Sequence, residues 1–170
     1  MRLHSAKVPE IATQMVSALV KGGDIECESP KEVELDVRSV LEQYIKDEQE
    51  VSDKARDILA ARGLGATEAA RIKKLVADER KIKLGDDAVD YLLDQLVEML
   101  MHSNNVGEVF VEDHELRRRM RPVLKKHLDV DTEVEAEVRG QLKHVQEGTR
   151  TWEIEYKRLL GDIQRRKGLV

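Results

Sequence analysis

The sequence predicts an all-α protein, and three observations lead there. Charged residues make up 37% of the chain and aromatic residues 3%, which suits a heavily solvated helical protein rather than an all-β one. Apolar residues return every three to four positions over almost the whole length, the period of a helix face. One helical unit is also written twice. At an offset of 83, Glu32, Arg38, Val40, Leu41, Glu50, Val51, Arg56 and Leu59 recur as Glu115, Arg121, Val123, Leu124, Glu133, Val134, Arg139 and Leu142. Upstream, at an offset of 81, Gln14, Val16 and Leu19 recur as Gln95, Val97 and Leu100. The two-residue difference falls in the loop Ser103–Glu112, where an insertion costs little. The expected architecture is two tandem pseudo-repeats of about four helices each, residues 1–85 and 86–170. Either alone would have a small core, so the two are expected to share one.

The first helix is expected over Val8–Lys21, with Ile11, Ala12, Met15, Val16, Leu19 and Val20 in one stripe and Gly22-Gly23 at its end. Ser29-Pro30-Lys31-Glu32 carries a cap serine, a proline at the first helical position and the glutamate of a capping box. The second helix follows, with Val33, Val37, Val40, Leu41 and Tyr44 inward. A third is expected from Glu48 to Arg62, closed by Gly63 and Gly65, and a fourth from Thr67 to Lys83. The fourth sets Arg71, Lys73, Lys74, Arg80 and Lys81 outward. Gly85-Asp86-Asp87 marks a stop and a new start, and with it the boundary between the repeats. Helices five to eight are expected over Ala88–His102, His114–Leu128, Thr132–Val145 and Thr151–Lys167. In the last, Trp152 and Tyr156 share a face with Leu160 and Ile163, which reads as core packing. The segments Ile25–Glu28 and Glu108–Glu112 alternate apolar and polar residues at equivalent places in the two repeats. They are expected to pair as a two-stranded ribbon.

Several of these residues carry a resemblance. The opening Met1-Arg2-Leu3 with the stripe Val8–Val20, the loop Val106–Val111, the run Leu116-Arg117-Arg118-Arg119-Met120-Arg121-Pro122-Val123-Leu124 and the segment Glu147–Tyr156 are similar to a bacterial family catalogued as domain of unknown function 507. The resemblance spans nearly the whole chain. It implies a bacterial, soluble, mainly helical protein, and it brings no catalytic residue, cofactor or substrate.

Compartment and chemistry are bounded by what the residues offer. Net charge is −5, divided as −1 over residues 1–84 and −4 over residues 85–170, so neither half has the basic bias of a typical nucleic-acid binder. Cys27 is the only cysteine, which suits a reducing compartment. No apolar run approaches the roughly 20 residues that a membrane span needs, and none follows the N-terminus as a signal peptide would. A cytoplasmic location and no membrane contact are expected. No two of His4, His102, His114, His127 and His144 stand three or four residues apart, so no single helix presents a metal-ligand pair. Asp47-Glu48, Asp86-Asp87 and Glu112-Asp113 fall at predicted helix starts, where carboxylates satisfy exposed N–H groups. Gly63-Leu64-Gly65-Ala66-Thr67 lacks the Lys-Ser/Thr ending of a nucleotide loop. Glu26 and Glu28 beside Cys27 disfavour its thiolate. No catalytic, metal or cofactor residues are assigned, and no cofactor is expected.

The functional candidate is the sixth helix. Leu116, Met120 and Val123 face the core, whereas Arg118, Arg121 and Lys125 fall opposite, flanked by Arg117, Arg119 and Lys126. The equivalent positions of the first repeat include Glu34, Leu35, Asp36, Arg38 and Glu42, so that copy is spared the basic face. A solvated helix whose cations pair with Glu112, Asp113 and Glu115 accounts for the same residues. As a site, Arg117, Arg118, Arg121 and Lys125 would contact an acidic partner. The leading reading is a non-enzymatic adaptor for another macromolecule, a protein ahead of a nucleic acid. The alternative is an RNA- or DNA-associated module using this helix and the basic face of helix four.

Overall fold

The computed structural model describes residues 2–170; Met1, with which the family resemblance opens, lies outside the described residues. The described residues form seven α-helices: α1 (Val8–Lys21), α2 (Pro30–Arg62), α3 (Ala69–Glu79), α4 (Ala88–His102), α5 (Asp113–Leu128), α6 (Val130–Gln141) and α7 (Arg150–Arg166). A ribbon of two short strands, β1 (Ile25–Glu26) and β2 (Glu108–Val109), pairs antiparallel with Ile25 opposite Val109 and Glu26 opposite Glu108. The alternating segments therefore do pair, as their pattern predicts.

The core begins with the stripes. Ile11, Met15 and Leu19 of α1, Val33, Val37 and Leu41 of α2, Leu92, Leu96 and Leu100 of α4, and Leu116, Met120 and Leu124 of α5 are all buried in one apolar cluster. α1 packs against both α2 and α5, and α4 packs against the same two helices, which closes a four-helix body. The cluster takes side chains from both sides of the 85/86 division. Each large aliphatic side chain buried this way contributes about 1.5–3 kcal/mol. Val20, at the end of the α1 stripe, stays exposed instead.

Two helical hairpins extend from this body. The C-terminal half of α2 packs on α3 around Val51, Ala55, Ile72 and Val76. α6 packs on α7 around Val134, Val138, Leu142 and Ile163. The expected helices two and three are a single helix of 33 residues, so the first half has three α-helices rather than four. The physical reason is local: Ile45-Lys46-Asp47 between them contains no glycine or proline to stop a helix. Asp47-Glu48 consequently lies in mid-helix and caps nothing. α2 ends where Gly63 takes the left-handed conformation, φ 62°, and its N–H bonds back to the Ala60 carbonyl. At the other end Ser29 is the cap residue and Pro30 opens the helix, but the serine hydroxyl makes no capping hydrogen bond. Neither hydrogen bond of the expected capping box forms; Glu32 N–H instead bonds the Ser29 carbonyl at 3.1 Å, closing a tight first turn.

Candidate functional site

α5 presents its apolar residues inward and its cations outward. Leu116, Met120, Leu124 and His127 are buried, while Arg118, Arg121, Lys125 and Lys126 are exposed. Pro122 sits inside the helix on the exposed side. It cannot donate to the carbonyl four residues back, so the Arg118 carbonyl lacks the usual intrahelical bond from that position. Acidic residues gather in the first turn and Lys125, Lys126 and His127 in the last, which favours the helix dipole at both ends.

The four sequence-predicted site residues do not share one environment. Arg117 pairs with Asp94 of α4, and Arg121 pairs with Asp90 of α4 at 2.7 Å. Arg118 and Lys125 have no carboxylate within ion-pair distance among the described residues. The acidic partners come from the neighbouring helix, not from Glu112, Asp113 and Glu115 at the start of α5. Both ion pairs are partly solvated, so water and salt screen them.

Arg119 takes a separate role. Its Nε donates to Asp24 at 2.8 Å, and its Nη2 reaches the second carboxylate oxygen at 3.5 Å. Asp24 is only 4% exposed, and this guanidinium is what partners its buried charge. The carboxylate holds the Arg119 guanidinium above its ordinary value. Gly22 makes room for the contact, because a Cβ there would stand 2.6 Å from Arg119 Nη2. α5 is thereby tied to the turn between α1 and β1. Reading the arginine run as one basic face misses this. The signal was available in Asp24, an acidic residue following two glycines at the end of an apolar stripe.

Other candidate residues have structural surroundings. His127 is buried and hydrogen-bonds Gln14 of α1 at 3.1 Å, and burial holds its imidazole below the ordinary value. His4 meets Asp131 at 2.6 Å. Cys27 is half-buried, and burial together with Glu26 pushes its thiol up. Tyr44 donates to the Lys83 carbonyl at 3.0 Å, and burial with Glu48 nearby pushes its phenol up. Trp152 is half-buried rather than enclosed: it stacks on Tyr156 at 4.9 Å, and the Arg139 guanidinium lies 5.7 Å from its ring centre. On α3, Arg71 pairs with Glu68 and the adjacent Arg80 with Glu50. Lys73, Lys74 and Lys83 line a cleft of about 660 Å³ together with Asp78, Asp86 and Asp87, which leaves it mixed in charge. Among the described residues no group of three or more His, Cys, Asp or Glu side chains is placed to hold a metal ion. No helix among them is long and apolar enough to cross a membrane.

Fold and surface together define a small all-α protein: a four-helix body, two helical hairpins and a helix whose outer face is rich in cations. The chain belongs to the family described as protein of unknown function (DUF507), whose model matches residues 1–169. Comparison with curated proteins gave no match.

Proposed function

We propose that the chain is a non-enzymatic adaptor of the bacterial cytoplasm, built from two copies of one helical unit (residues 1–85 and 86–170), and that α5 contacts an acidic segment of a protein partner. One observation carries this reading. Arg118 and Lys125 are exposed, lack a carboxylate partner among the described residues, and stand two turns apart on one helix face. Seven residues of helix separate them by about 10 Å, a span that two carboxylates of an acidic helix or extended segment can match. Arg117 and Arg121 flank them in solvated pairs with Asp94 and Asp90, which a partner's carboxylates can replace at little cost.

The test is a double charge reversal, Arg118→Glu with Lys125→Glu, which breaks no ion pair among the described residues. Lys31→Glu with Lys46→Glu, at exposed positions of α2, makes the same change in net charge elsewhere. Each protein is used to capture partners from a bacterial lysate, with and without nuclease. Loss of a nuclease-resistant protein partner in the α5 variant alone supports the reading. Capture that disappears with nuclease assigns the face to RNA or DNA, and equal capture by all three proteins removes the site from α5.

A further inference from the structure

The two hairpins are attached to the body by different means. The first rests on a continuous helix: α2 runs about 50 Å at 1.5 Å per residue, with its first half in the central cluster and its second half in the hairpin. Leu84 and Tyr91 pack against both apolar clusters, so the two cores are contiguous. The Tyr44 ring meets Tyr91 at a 45° tilt with centroids 5.9 Å apart, and its hydroxyl donates to the Lys83 carbonyl, which pins the chain leaving α3 to the body.

The second hairpin has none of these devices. α5 stops at Leu128 and α6 starts at Val130, with Asp129 between them ending one helix and beginning the next. Among the described residues no side chain is common to the central cluster and the one around Val134, Val138 and Ile163. Among the described residues α6 and α7 pack on each other and make no extended packing with α1, α2 or α4. Among the described residues one side-chain hydrogen bond ties them to the N-terminal segment, between His4 and Asp131, two residues past the break, and Lys7 Nζ stands 3.6 Å from where a Cβ on Gly168 would sit, with no hydrogen bond between them.

We propose that residues 130–170 form a hinged arm that turns about Asp129 against a fixed body, with the His4–Asp131 contact as its latch. The arm can reorient without opening any apolar core, because its own cluster travels with it. Reorienting the first hairpin would require bending a continuous helix and separating Leu84 and Tyr91 from one of their two clusters.

Distances between spin labels on the full chain test this, in a Cys27→Ser background. Label pairs at Glu98 and Lys157 span the body and the second hairpin; pairs at Glu98 and Lys74 span the body and the first. All three positions are exposed. The expected result is a broad or two-peaked distribution for Glu98–Lys157 and a narrow one for Glu98–Lys74. His4→Ala should broaden the first pair further and leave the second unchanged. Equal widths for the two pairs in the parent protein overturn the hinge. Broadening of both pairs in His4→Ala, or of neither, overturns the latch.

Discussion

Asp36 and Arg119 occupy the same place in their helices, 83 residues apart, and do the same job with opposite chemistry. Arg119 of α5 reaches across to Asp24, in the turn after α1. Asp36 of α2 reaches across to the turn after α4, accepting from Ser103 Oγ at 2.5 Å and from Asn105 Nδ2 at 3.0 Å. Gly22 and Asp24 stand 81 residues before Ser103 and Asn105. Two residues earlier on the same two helices, Glu34 accepts from Thr13 at 3.3 Å where Arg117 donates to Asp94. The comparison teaches that the packing geometry sets which positions must meet, while the charge is free to reverse provided each buried polar atom keeps a partner. Where α5 carries Arg117, Arg119 and Lys125, α2 carries Glu34, Asp36 and Glu42.

Truncations in the shared core would break this comparison most forcefully. Leu41→Ala and Leu124→Ala, at equivalent buried positions, should each cost about 2–5 kcal/mol. Denaturant titration should show one transition in both, shifted by similar amounts, because both residues belong to one cluster. A variant that destabilised only its own half, giving two transitions, would mean two cores.

The hairpins should respond less, and differently. Val51→Ala and Val134→Ala should each cost about 1–3 kcal/mol. The Val51 change is expected to lower the main transition, since its cluster adjoins the central one through Leu84 and Tyr91. The Val134 change should speed amide exchange in α6 and α7 while the main transition moves little. Identical behaviour of the two variants would erase the distinction between the hairpins.

Reversing the chemistry of one cross-contact sharpens the comparison. Asp36→Ala should cost about 1–2 kcal/mol through the hydrogen bonds it removes. Arg119→Asp alone should destabilise, because it sets a second carboxylate against the buried Asp24. Combined with Asp24→Asn, which writes the Asp36–Asn105 pair at the other site, it should recover part of the loss. A double-mutant cycle measures the coupling, and strict additivity would show that the two contacts are not interchangeable.

The smallest expected effect is on pH dependence. His127 sits 83 residues after Tyr44, so one buried position carries a titratable imidazole and the other a phenol. Burial lowers the His127 pKa from 6.5 in the folded protein. Below 6.5 the unfolded chain therefore binds more protons than the folded one, and stability falls as pH drops toward the folded-state value. Above 6.5 the contribution is complete. His127→Gln should flatten that acid limb, and parallel pH profiles for the variant and the parent would exclude His127 as its source.

How much was legible follows from the range of the forces involved. The stripes Ile11–Met15–Leu19 and Leu92–Leu96–Leu100 were readable because burial of a helix face repeats every three to four residues. The ribbon was readable from strict alternation at Ile25–Glu28 and Glu108–Glu112. The continuity of α2 departs from the expected pair of helices, because no glycine or proline stands between Tyr44 and Glu48. The partners of Arg117 and Arg121 were out of reach, because Asp94 and Asp90 are brought to them by helix packing and not by sequence spacing.

By itself the sequence determined the helical class, most element boundaries and the choice of buried positions, all of which depend on propensity and periodicity within a few neighbouring residues. Tertiary structure decided which charges are spent within the chain and which remain on the surface. It placed Asp90 and Asp94 against Arg121 and Arg117 and left Arg118 and Lys125 exposed. Ion pairing acts over a few ångströms whatever the separation along the chain, so only the packed helices could settle it.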